Sequence, residues 1–397
     1  MAFSVFDSKG IHIDSQHFTW RDLVQKPISK LDDDAFTRVR IILINGIENE
    51  ALRFGHMAAR FNRDLRLPLA KVRRAEQHQA TMVNWLIAAD HSPLETTIAY
   101  EQTAIEVTAA IAQAEPDPYL AQVYRFGLLE DFDHLFRYSA LLDRLEGKDA
   151  NNILQSYTDV LPGRPTAEHH RHPADDLREP YNAKTAGFLT KLHALTLVAG
   201  ESQTHDYYMN VGPLFSDPLA RQLYAEIASI EEQHVTQYAS MLDPAESWIE
   251  QWVLHEANEC YNYYSCMEQE TNHHVRAIWD RFLDYELGHF HMACEALKQF
   301  EKRDPAEIVT ADFKHPLVFR SHRDFVRKVL VSEVGMRTDG TRFVPRDQES
   351  TLSAAYRDTV NAEGNPSEAV AAGYIWSPGT ELSRKAVIGA RHGAVQP

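Results

Sequence analysis

Six residues of this chain have the types and spacing to hold two metal ions: Glu101, Asp131 and His134, and, at a constant offset of 100 positions, Glu201, Glu231 and His234. In each set the glutamate precedes the second acid by 30 residues, and a histidine follows that acid three residues later. An acid and a histidine at i and i+3 lie on one face of a helix, so both can reach a common ion. The longer separation suits two antiparallel helices that meet at one level. Buried without compensation, four carboxylates would take up protons rather than stay charged. Two divalent cations remove that objection, because four carboxylates and two neutral imidazoles carry −4 against +4, in a mixed oxygen and nitrogen set that suits iron or manganese. The competing reading is that these acids form structural ion pairs with Arg and Lys.

An acid three residues before a histidine is common in a chain with 57 acids and 20 histidines, and it recurs at Asp14/His17, Glu270/His273, Glu286/His289 and Asp312/His315. Register separates the first two motifs from the rest. Residues 96–143 match residues 196–243 without a gap, with eleven of 48 positions identical, which marks a duplicated helical hairpin. The identities include Tyr124/Tyr224, Tyr138/Tyr238 and the Asp-Pro pairs at 117–118 and 217–218. Asp can cap a helix and Pro suits its first turn, so each pair opens the second helix of its hairpin. A third set, Glu256 with Glu286 and His289, keeps the spacing but shares almost nothing else with the repeat. It is the alternative half-site, pairing with the second hairpin in place of the first.

Helical periodicity and explicit breakers place helices at about residues 35–62, 69–89, 93–114, 117–146, 184–210, 216–242, 245–272 and 274–303. Pro68, the Asp90-His91-Ser92-Pro93 break, Pro116, Pro118, Pro213, Pro218 and Pro244 separate them. Alternating strand patterns are nearly absent before the C-terminal quarter, so the class is all-α. Most links are tight. The stretch between Gly147 and Lys184 is polar and proline-rich, and long enough to cross the length of a bundle. The expected organisation is an N-terminal helical extension (1–92), a helical core with an extra hairpin (93–303) and a mixed C-terminal segment (304–397), with a short helix near Ser321–Val334 and an irregular, surface-wrapping tail.

Tyr138 and Tyr238 each follow a candidate histidine by one helical turn and are expected as core tyrosines whose hydroxyls bond a ligand carboxylate. Tyr207, Tyr208, Tyr261, Tyr263 and Tyr264 fall on helices expected to flank the centre. His169, His170 and His172 form a tract in the polar link and lack a positioned carboxylate there; His205, one turn after Glu201, is expected as an ordinary histidine.

The order glutamate, acid-x-x-His, glutamate, Glu-x-x-His over four helices with a long crossover resembles the ferritin-like di-iron carboxylate superfamily over residues 93–243. Asp131 departs from it, standing where that family usually has Glu, and its shorter arm bears on bridging. The resemblance implies a ferritin-like four-helix bundle with additional flanking helices, two Fe ions or Mn in their place, and O2 activation to oxidise or oxygenate a small organic substrate. Glu201, with Glu101 or Asp131, would bridge or chelate. The superfamily also includes iron stores and manganese catalases, so an iron-binding protein is the alternative; a helical interaction module is a further one. No flavin or nicotinamide motif occurs, so electrons are expected from a separate donor or from the substrate.

A net charge of −17 disfavours nucleic acid and anionic lipid as partners. Three cysteines without a CxxC pair suggest no disulfide framework and a reducing compartment. With no basic leader and no apolar run near the roughly 20 residues that span a bilayer, a cytoplasmic location is expected, with homodimer assembly left open.

Overall fold

The computed structural model describes residues 3–30, 33–87, 89–310 and 313–377; Asp312 and the tail beyond 377 lie outside them. The described helices are α1 (Trp20–Leu23), α2 (Ala35–Phe61), α3 (Arg66–Asn84), α4 (Pro93–Ala114), α5 (Pro118–Glu146), α6 (Asn151–Leu154), α7 (Phe188–Val211), α8 (Pro218–Ala239), α9 (Trp248–Gln269), α10 (His273–Ala296), α11 (Arg323–Glu333), α12 (Thr351–Val360) and α13 (Pro366–Ala371). The protein is thus mostly helical.

Local chemistry sets the helix ends. Ser92 and Glu95 form a reciprocal cap ahead of Pro93, and Asp117 and Asp217 each accept backbone N–H bonds in front of a proline. Pro68, expected to separate helices, instead lies in the first turn of α3, where a missing N–H costs nothing. Several expected helices ran too long, because apolar residues such as Leu86 and Met241 continue the periodicity into core-packed turns beyond the last helical residue. Thus α3 stops at Asn84, α8 at Ala239 and α9 at Gln269.

Four helical hairpins result: α2/α3, α4/α5, α7/α8 and α9/α10. The pairs α4/α5 and α7/α8 meet through α4 against α7 and α5 against α8, while α2/α3 and α9/α10 meet through α2 against α9 and α3 against α10. The two groups of four join where α2 packs on α4 and α7, and α7 on α9. Residues 1–92, expected as an extension, therefore supply half of a second helical group. Two apolar clusters fill these groups, one holding Trp252, Trp279 and Phe282 and the other Leu128, Phe132 and Ile227. Truncating one such residue to Ala would cost about 3–5 kcal/mol.

The link between α5 and α7 does not ride on the surface: Arg164, His169 and Arg171 are buried. After α11, a two-stranded antiparallel hairpin, β1 (Met336–Asp339) and β2 (Arg342–Pro345), turns at Gly340, whose φ of 60° favours glycine. Short α13 then lies across α5 and α8, tied by Ser367 to Glu226 at 2.7 and 3.0 Å. Residues 346–377 thus lie along the surface, as expected of the tail, and are held there by a few buried residues, Ser350, Ser353, Ser367 and Val370. Among the described residues no helix is long and apolar enough to cross a membrane, and the three cysteines are free and buried.

Candidate metal centre

All six residues expected as ligands lie at the junction of α4, α5, α7 and α8, and all are buried. Their ligand atoms fall into two groups that share Glu231: Asp131, Glu201, Glu231 and His234 in one, and Glu101, His134 and Glu231 in the other, each within 4.8 Å. Sharing follows from side-chain reach. Glu231 Oε1 stands 3.0 Å from His134 Nδ1, and its Oε2 stands 3.2 Å from His234 Nδ1. Glu231 is thus the one carboxylate common to both groups, while Glu201, Glu101 and Asp131 each fall in a single group. Asp131, shorter by one methylene, joins a single group, with Oδ1 at 3.3 Å from His234 Nδ1.

Hydrogen bonds around the histidines decide which nitrogen faces the centre. The Arg164 carbonyl can only accept, so His169 Nε2, at 2.5 Å, carries the proton that it donates. Burial holds His169 well below the usual imidazole range, hence neutral, and its bare Nδ1 accepts from His134 Nε2 at 3.2 Å. That leaves His134 Nδ1 as a lone pair beside Glu231 Oε1, with neither atom hydrogen-bonded. Two acceptors this close repel unless a cation lies between them. Ligands about 2.1 Å from an octahedral ion stand roughly 3 Å apart, which matches this pair.

His234 is held differently: its Nε2 lies 2.8 Å from Glu130 Oε2. Despite burial, the guanidinium groups of Arg171 and Arg164 keep Glu130 well below the usual carboxylate range, so it accepts from Nε2–H and leaves Nδ1 turned inward. A carboxylate behind a ligating imidazole fixes its orientation and strengthens it as a donor. Tyr208 donates to Glu101 Oε1 in the same supporting manner.

Without a cation the electrostatics are unfavourable. Burial, with Glu231 and Asp131 nearby, raises Glu101 well above the carboxylate range; burial and Glu201 do the same to Asp131. Burial pushes Glu201 up to about 7. Glu231 goes the other way, its burial outweighed by the contacts with His134 and His234. Both oxygens of Asp131 and one each of Glu101, Glu201 and Glu231 lack a hydrogen-bond partner. Orphaned, convergent lone pairs of this kind fit a dinuclear centre with Glu101 and His134 on one side, Asp131, Glu201 and His234 on the other, and Glu231 between. The competing reading, ion pairs with Arg or Lys, does not describe these six: among the described residues, their ion-pair partners are one another and Glu130.

Other candidates are placed elsewhere. Tyr138 and Tyr238 are buried, but their hydroxyls have no hydrogen-bond partner, and the carboxylate bond expected of them is made by Tyr208. Tyr138 packs on Tyr208 and Tyr224. Tyr207 stacks on Tyr100 and bonds the Pro93 carbonyl. Tyr261, Tyr263 and Tyr264 stand on α9 in the other helical group. His170 lies 3.6 Å from Glu226, His172 caps a short turn, and His205 faces Asp206 at 3.2 Å. The alternative half-site does not join the centre: Glu256, Glu286 and His289 project from α9 and α10 toward α2 and α3. Glu130, Arg164, Arg171 and His169 were not legible as support; the histidine tract was the one visible signal, and its partner lies 35 residues away on α5. A crevice of about 20 Å³ between α2, α4 and α7 reaches Glu201, lined also by Tyr100, Thr103 and Thr204. Comparison with known proteins gives no matching family model, no matching curated sequence and no matching solved structure.

Proposed function

We propose that this chain is a ferritin-like di-iron oxidoreductase that activates O2. The carrying observation is the bare His134 Nδ1 at 3.0 Å from the unpartnered Glu231 Oε1, with the other oxygen of Glu231 at 3.2 Å from His234 Nδ1. A reduced iron pair, when bound, supplies electrons to O2. The protein's own part is positional. Glu231 would hold both ions; Asp131 and Glu201 would hold the His234 side, and Glu101 the His134 side. Glu130 and His169 keep the imidazole protons on the outward nitrogens. Burial on all sides excludes bulk water. The expected role is oxidation or oxygenation of a small organic molecule, with reducing equivalents from that molecule or a separate donor.

A second reading, oxidation or storage of iron without organic chemistry, gains support from the crevice at Glu201, whose 20 Å³ suits a diatomic or a water better than an organic substrate. Anaerobic loading with Fe(II) followed by O2 tests both. A transient visible absorption in wild type that is absent in Glu231→Ala is expected. Repeated Fe(II) oxidation with no demand for a second reductant would favour the store. A chain that stays metal-free in excess Fe(II) and Mn(II), with an unchanged melting temperature, would refute the centre itself.

A further inference from the structure

The second helical group carries its own buried cluster. Glu48 comes from α2, Glu76 and Gln79 from α3, Glu256 and Glu259 from α9, and Glu286 and His289 from α10, every one of them buried. Ligand atoms of Glu76, Glu256, Glu259 and His289 lie within 4.8 Å of one another. Among the described residues no Lys or Arg forms an ion pair with any of the five glutamates.

Two observations beyond the mere proximity of the acids point to a ligand. Glu259, 1% exposed, has no hydrogen-bond partner for either carboxylate oxygen, and Glu76 and Glu256 each turn one unpartnered oxygen inward. The tautomer of His289 is also set from outside. Gln16 donates its amide N–H to the carbonyls of Ile11 and Tyr285, at 2.9 and 3.1 Å, so its oxygen faces His289 Nε2 at 2.9 Å and accepts from it. Nδ1 is thereby presented to the acids, 2.9 Å from Glu286 and 3.8 Å from Glu256. The same outward anchoring holds His134 and His234.

The cluster is not a full copy of the first centre. Gln79 occupies the i+3 position after Glu76 where each repeat has histidine, and its amide nitrogen donates to Glu48 and Glu286, at 3.1 and 2.5 Å. That N–H pair does for Glu48 and Glu286 what a second ion would do. We infer that Glu76, Glu256, Glu259 and His289 form a separate mononuclear site for a hard divalent cation such as Mn(II), with Glu48, Glu286 and Gln79 as its supporting frame. Three carboxylates and a single imidazole give an oxygen-rich set, which suits Mn(II) or Fe(II) over softer ions. Burial raises Glu48, Glu256 and Glu259 well above the carboxylate range and pushes Glu76 up to about 8, in keeping with acids that want a cation.

Equilibrium dialysis of the full chain against Mn(II) alone, with elemental analysis and circular dichroism of each variant, tests this. Wild type is expected to hold about three ions and Glu231→Ala about one, since the first centre is lost. Adding Glu259→Gln or His289→Ala to Glu231→Ala should remove the last ion, and the Mn(II)-induced rise in melting temperature should go with it. Glu259→Gln is isosteric, which guards against misfolding. A folded Glu231→Ala protein without bound Mn(II), or a count indifferent to both Glu259→Gln and His289→Ala, would overturn the inference. A total of one ion, lost in Glu259→Gln and untouched by Glu231→Ala, would uphold this site and sink the proposed di-iron centre.

Discussion

At the level of single residues, Glu231 and His134 are unequal in consequence. His134 serves one group of ligand atoms, so His134→Ala should remove the ion held with Glu101 and leave its neighbour. Glu231 serves both, so Glu231→Ala should empty the pair. Elemental analysis after Fe(II) loading decides between this and a hairpin-by-hairpin division, in which Glu231→Ala would cost a single ion. Tyr208 offers a gentler probe, because its hydroxyl touches Glu101 and no other candidate ligand. Tyr208→Phe should weaken binding on the His134 side by about 10- to 100-fold, the usual effect of losing an outer partner of a metal ligand. Unchanged affinity would mean that Glu101 does not ligate.

Helix approach sets the second tier. Gly127 on α5 faces α8 so closely that an added Cβ would run into the Tyr238 hydroxyl. In an open helix Gly→Ala would gain about 1 kcal/mol. Here Gly127→Ala should cost about 1–3 kcal/mol through overpacking. Because that hydroxyl has no hydrogen-bond partner, adding Tyr238→Phe should restore most of the loss. Thermal unfolding of the single and double variants measures it, and equal melting temperatures for both would contradict close α5–α8 contact.

The start of α4 gives a pH dependence. Burial and the neighbouring Arg38 lower His91 to about 4, against an ordinary 6.5. A base depressed in the fold is more readily protonated once unfolded, so its contribution is intact above pH 6.5 and is lost as pH falls through 4. After allowance for partial exposure the loss is of order 1–2 kcal/mol. Denaturant titrations at pH 7 and pH 4.5 should show His91→Gln losing less stability on acidification than wild type.

Over the whole molecule, the first proposed site draws its ligands from four helices, α4, α5, α7 and α8, and the second from three, α3, α9 and α10, so bound metal ties separate hairpins together. A ligand present at about 100 times its dissociation constant contributes about 2.7 kcal/mol to stability. Chelation should therefore lower the melting temperature of the loaded protein, and re-addition of Fe(II) or Mn(II) should restore it. Elsewhere α2 and α9 are joined by a buried pair, Arg40 with Glu270 at 2.8 Å. Arg40→Met would strand the carboxylate and should cost about 3–5 kcal/mol, measured by chemical denaturation.

The duplicated hairpin, the i, i+3 acid and histidine pairs and most helix starts were legible in the chain itself, because helical periodicity, capping and proline chemistry act over a few residues. That is why Glu101, Asp131, His134, Glu201, Glu231 and His234 could be named in advance and are found together. Pairing between distant segments carries no comparable local mark. That α9 and α10 close on α2 and α3 rather than on the repeat, that a polar link sends His169 and Arg164 inward to orient His134, and that Glu231 reaches both histidines were decided by packing. Each depends on where two helices hundreds of atoms apart come to rest, and burial with hydrogen bonding, not spacing in the chain, selects that arrangement.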